Sequence, residues 1–226
     1  MNRIKTIRRG LLSSLFFTLL FTTVVFGALR VSTCNHNEIG RPVGGINGDQ
    51  TGYEYNIKKL YDGGWDFCLR YEGENAEKVR DLASKLACVL AVNDLCGYDT
   101  SNREGLINAL IKADYDPNAI KRCEATCSSS TNAVWITVGH YLGIKKLEKM
   151  NPRTMTGWML KRYQRHGFKV YYGKGYLDGT KNIAGDVLVN SGIHTVIVVD
   201  RKDVKKAKKG KITKELLLEI AEEQLP

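Results

Sequence analysis

The spacing of hydrophobic and polar positions changes along this chain, and the change divides it into two parts. From Trp65 to Tyr71 large apolar residues alternate with polar ones, which predicts a strand. Glu74 to Asn93 then sets Val79, Leu82, Ala83, Leu86 and Leu90 at spacings of three and four, the pattern of a helix with one buried face. Arg103–Lys112 reads as a second helix, Thr126 or Cys127 to Tyr141 as a third ended by Gly143, and Thr154–His166 as a fourth stopped by Gly167. Beyond that point the period is two. Phe168–Tyr172, Asp186–Asn190 and His194–Val199 read as strands, with Asn190-Ser191-Gly192 as a hairpin turn. Residues 34–64, rich in Gly and Asn, read as irregular chain. Helices first and antiparallel strands afterwards predict an α+β fold, with N-terminal helices packed on a small antiparallel sheet.

Length and composition narrow the class. The chain has 226 residues, 43% of them hydrophobic, enough for one domain with a real core. Collagen, low-complexity disorder and a multi-span membrane protein are excluded. The net charge of +10 is concentrated at the ends. Residues 1–30 contain Arg3, Lys5, Arg8, Arg9 and Arg30 without an acid, and the 19 residues from Leu11 to Leu29 carry no charge. A basic segment followed by an apolar run predicts a signal peptide or membrane anchor over 1–30, contacting the membrane if uncleaved. The domain, 31–200, then faces the cell exterior or envelope. Residues 201–226 read as a basic tail with a short C-terminal helix, able to meet an anionic wall polymer. A nucleic-acid role built on the same run conflicts with export, so no nucleic acid is expected.

The candidate chemistry lies between the charged ends. A nucleophilic thiol needs a lowered pKa, which a helix N-terminus and a nearby imidazole both provide. Cys127 opens the third predicted helix ahead of Ser128-Ser129-Ser130, and His194 opens the last strand. The six cysteines lack the paired short loops of structural zinc sites, so neither metal nor cofactor is expected. Disulfides are compatible with export. If Cys127 is free and Cys34 is lost or lipidated, Cys68, Cys88, Cys96 and Cys123 allow three pairings, with Cys88 reading as a buried small residue.

These residues carry a resemblance. Cys127-Ser128-Ser129-Ser130 before a helix, then Gly185-Asp186-Val187-Leu188, then His194-Thr195-Val196-Ile197-Val198, resembles the NlpC/P60 class of papain-like cysteine peptidases. Gly48-Asp49-Gln50-Thr51-Gly52, Asn93-Asp94 to Gly97-Tyr98-Asp99, and an upstream Cys123 make it more similar to phage-type peptidoglycan hydrolases of Gram-positive bacteria. The resemblance implies a papain-like fold and a cell-wall hydrolase that cuts an amide bond of peptidoglycan. It makes Cys127 the nucleophile, His194 the general base and the Cys127 N–H an oxyanion donor. Asp49, Gln50, Tyr98, Asp99 and Ser128 become candidates for substrate contact. Two departures stand out. Thr126 occupies a position where many relatives have Asp, and no third catalytic residue is evident after His194. Asp200 is too far along a straight strand, and Asn190 across the hairpin is better placed. A catalytically inactive wall-binding module on the same fold is the alternative.

Overall fold

The computed structural model describes residues 29–223. Its elements begin with three strands, β1 (Leu29–Cys34), β2 (Tyr55–Lys59) and β3 (Phe67–Tyr71), followed by helix α1 (Ala76–Leu90). Then come β4 (Cys96–Tyr98), α2 (Gly105–Lys112), β5 (Cys123–Ala125), α3 (Cys127–Leu142), α4 (Lys145–Glu148) and α5 (Thr156–Gln164). The chain continues through β6 (Phe168–Tyr171), α6 (Lys174–Leu177), β7 (Val187–Asn190) and β8 (His194–Asp200) to α7 (Arg201–Ala207) and α8 (Lys214–Glu222).

The fold is α+β, but its order corrects the expected one. Strands precede the first helix, and the sheet is not small. Six strands pair antiparallel in the order β2-β1-β8-β7-β3-β6, and β4 and β5 form a separate parallel pair. β1 and β2 lie in stretches read as export segment and irregular chain. Their buried residues include Ser32, Thr33 and Asn56, polar positions that break the apolar alternation by which a strand is recognised.

The main core lies between one face of the sheet and the helices. Leu69, Val187, Val189, Ile197 and Val199 on that face pack with Leu82 and Leu86 of α1 and with Val134, Trp135 and Val138 of α3. Trp135 sits edge-on to Phe168, centroids 4.8 Å apart, and stacks on Tyr71. The opposite face carries a smaller cluster of Val31, Trp65, Cys68, Leu188, Val196 and Val198, with Leu60, Tyr176 and Leu177 packed against it.

Asp186, of the Gly-Asp motif, is fully buried and structural in its contacts. Arg70 on β3 grips it with two bonds, Nε to Oδ1 at 2.8 Å and a terminal nitrogen to Oδ2 at 2.7 Å. Asn182 and the Ile183 N–H complete its set of donors. The fork joins β3, next to the edge strand β6, to the 182–186 loop, and the carboxylate raises the Arg70 pKa further.

Residues 201–223, read as a basic tail with a short C-terminal helix, form α7 and that helix, α8, both docked on the domain. Val204 and Ala207 of α7 and Leu217 and Ala221 of α8 are buried in the main core, and Asp203 accepts from Ser84 on α1 at 2.7 Å. The expectation of membrane contact through the N-terminal segment is also corrected. Among the described residues no helix is long and apolar enough to cross a membrane, and Leu29 and Arg30 of that segment belong to β1. The rest of the predicted signal or anchor lies outside the described residues.

Candidate functional site around Cys127 and His194

The sequence starts α3 at Cys127 by a capping box. The Thr126 hydroxyl accepts from the Ser129 N–H at 3.0 Å, and the Thr126 N–H donates to the Ser129 hydroxyl at 2.8 Å. Thr126, standing where an Asp was expected, therefore supplies the cap itself. Ser130 and Thr131 donate to the Cys127 carbonyl, fixing the first turn. Gly143, at φ 64°, ends the helix. Residues 127–139 are all buried, so α3 runs through the centre of the molecule.

The Cys127 side chain is buried at the end of the sheet. The Thr195 N–H on β8, the Ser128 N–H and the Arg103 charge all act to lower the pKa of the thiol. All three favour thiolate, yet burial outweighs them and the thiol pKa is raised above its ordinary value. Tyr61, Tyr98 and Cys34 lie close enough to feel the thiol's charge.

His194 opens β8 beside Thr195. Its Nε2 is 2.9 Å from the Thr33 hydroxyl on β1, and its ring stacks on Trp65 at 6.2 Å between centroids. Burial, then the charges of Lys58 and His36, lower its pKa to about 4. Thiol and imidazole thus meet the first two residues of β8. Among the described residues no hydrogen bond joins them directly.

The other expected residues divide. Asn190 pairs with His194 across the hairpin, but its side-chain amide donates to the Gly63 carbonyl at 3.0 Å. The partner of the imidazole is Thr33. The strand beside β8 on that side is β1, which comes from the start of the domain and does not follow β8 in the chain. Thr33 lies 161 positions from His194, a separation no local pattern reveals.

Asp49 is buried, and its carboxylate accepts from the backbone N–H groups of Thr51, Gly52, Glu54 and Tyr55. It organises its own loop and has no oxygen left over for a ligand. Gln50 is exposed and bonds the Asn47 and Gly48 carbonyls. Glu54 and Glu124 dock this loop on β4 and β5 by accepting from Gln50, Tyr98 and Gly48, and burial raises the Glu124 pKa to about 7. Tyr98 is half-buried beside the thiol, Asp99 holds the Gly44 and Ser101 N–H groups, and Ser128 is buried against Thr126. Of these candidates, Tyr98 and Ser128 are at the thiol. Trp65, an aromatic that sequence alone marks as a candidate groove residue, stacks on His194, and Arg103, Tyr61 and Thr33, which stand in no motif, complete the surroundings. A cavity of about 220 Å³ lined by Lys149, Arg162 and Arg165 lies between α4 and α5, away from Cys127.

An α+β domain with a cysteine at the N-terminus of its central helix, set against the strand that opens with histidine, is thereby defined. A family comparison matches residues 31–205 to the endolysin-like domain, and the chain belongs to that family. The domain resembles phage endolysin-type peptidoglycan hydrolases. No curated protein and no solved structure matches the chain.

Proposed function

We propose that this protein is a cysteine peptidase or amidase of NlpC/P60 type that cuts an amide bond in the peptide stem of peptidoglycan, outside the cell or in its envelope. The observation carrying the reading is the Cys127 thiol at the head of α3, against the Thr195 N–H and one residue from His194, in a member of the endolysin-like family.

With both pKa shifts running against charge, the pair rests as neutral thiol and neutral imidazole at pH 7. If the Thr33 hydroxyl accepts from Nε2–H, Nδ1 is left unprotonated and able to take the thiol proton. As Sγ attacks the carbonyl carbon, the proton passes to His194 and the oxyanion receives the Cys127 N–H. Collapse breaks the C–N bond, His194 returns the proton to the leaving amine, and water activated by the same imidazole releases the acyl group.

Cys127→Ala is expected to abolish release of soluble muropeptides from purified cell walls while circular dichroism and Tm stay unchanged. Retained release from a folded variant rejects the assignment. The second reading, an inactive wall-binding module, is favoured by the raised thiol pKa and the missing direct Cys127–His194 bond. Wall pelleting without muropeptide release by the unmodified protein selects it.

A further inference from the structure

The six cysteines are all free and buried, and two of them sit opposite each other on paired strands. Cys96 on β4 and Cys123 on β5 are register partners in the parallel pair; the Cys96 thiol donates to the Gly97 carbonyl at 3.6 Å, and the neighbouring Cys123 thiol raises its pKa. The rest are otherwise engaged. Cys34 donates to the Gly97 and Ala125 carbonyls, Cys68 accepts from Asn182 on the far side of the sheet, Cys88 lies within α1, and Cys127 meets Thr195.

We infer that Cys96 and Cys123 are a modification site, closed as a disulfide across β4 and β5 when the chain folds in an oxidising compartment. Adjacent strands stand about 4.8 Å apart, inside the span of about 4.4–6.8 Å between α-carbons that a disulfide bridges. The oxidant is a small-molecule disulfide or the disulfide of a thiol oxidoreductase. The Cys123 thiolate attacks one of its sulfurs, the Cys96 thiolate displaces the mixed disulfide, and two thiols of the former oxidant leave with the two protons. The fold then seals the bond, since Cys96 is 1% and Cys123 6% exposed. The bridge closes residues 97–122 into a loop containing α2, and it pins β5, which runs directly into the Thr126 cap of α3. Cys127 stays outside the bridge, so the inference stands whatever Cys127 does.

The test refolds the full chain in a buffer of oxidised and reduced glutathione, then denatures it in excess iodoacetamide. Four alkylated cysteines and a non-reducing digest containing one Cys96–Cys123 cross-linked peptide are expected. The refolded protein should melt about 10 °C above its reduced form, and Cys96→Ser should remove that difference while leaving the reduced Tm nearly unchanged. Six alkylated cysteines overturn the inference, as does a cross-link through Cys34 or Cys127. If Cys96→Ser fails to fold, the alkylation count and peptide map of the unmodified chain still decide.

Discussion

Thr33 puts the imidazole question in testable form. Its hydroxyl is the hydrogen-bond partner of His194, and on the proposed reading it sets the tautomer. Thr33→Val keeps the shape and removes the bond. It is expected to lower kcat by about tenfold or more, within the roughly 10²–10⁴ that a general base contributes, with little change in KM. The surroundings of His194 also fix a pH limb. Protonated imidazole cannot accept the thiol proton, so kcat/KM should be steady through neutral pH and fall as pH drops through about 4. A limb near 6.5, the ordinary histidine value, would place His194 in water and not against Trp65. The same shift bears on stability. The unfolded chain protonates His194 first, so stability is lost as pH falls from about 6.5 towards 4. Cys127 and His194 were legible because a cysteine at a helix start and a histidine at a strand start are local patterns. Thr33 was not, because its role depends on which strands become neighbours.

At the scale of elements, α3 is the most constrained piece. Its face at Gly139 touches α4 so closely that a Cβ there would stand 2.6 Å from both the Glu148 nitrogen and the Leu147 Cβ. Alanine favours a helix over glycine by about 1 kcal/mol, whereas overpacking against backbone costs about 1–3 kcal/mol. Gly139→Ala is therefore expected to destabilise in urea unfolding, and a gain in stability would show that α4 yields freely. The helices α1, α2, α3 and α5 were readable from apolar spacing and their caps, as were β3, β6, β7 and β8. Short elements such as β4, β5, α4 and α6 are too brief to show a period, and three longer ones escaped because their buried faces are masked by polar residues. β1 and β2 bury polar residues, and α7 is hidden in a run of lysines of which only Val204, Ala207 and the paired Asp203 turn inward. Charge frequency describes the solvent side of such a helix and says nothing of the side that docks.

At the scale of the molecule, the Arg70–Asp186 fork ties β3, near the β6 edge of the sheet, to the loop that precedes β7. Asp186→Asn leaves a largely buried guanidinium without its counter-charge and is expected to cost about 3 kcal/mol, read as a lower urea midpoint with unchanged slope. A loss below about 0.5 kcal/mol would assign the fork to the solvated surface class. The motif containing Asp186 was legible as a motif, and its place in the sheet was not, because Arg70 lies 116 positions away.

The position of β1 between β2 and β8 also sets a timetable. During synthesis β1 emerges before the other described strands, and the strand that carries His194 comes more than 150 residues later. Until then Thr33 has no imidazole to hold and β1 lacks one of its two neighbours. Pairings of such long separation form slowly and late. The thiol can be in place at the head of its helix well before this, but the site is assembled only when β8 pairs with β1. Whatever chemistry the domain performs is withheld from every partly made chain.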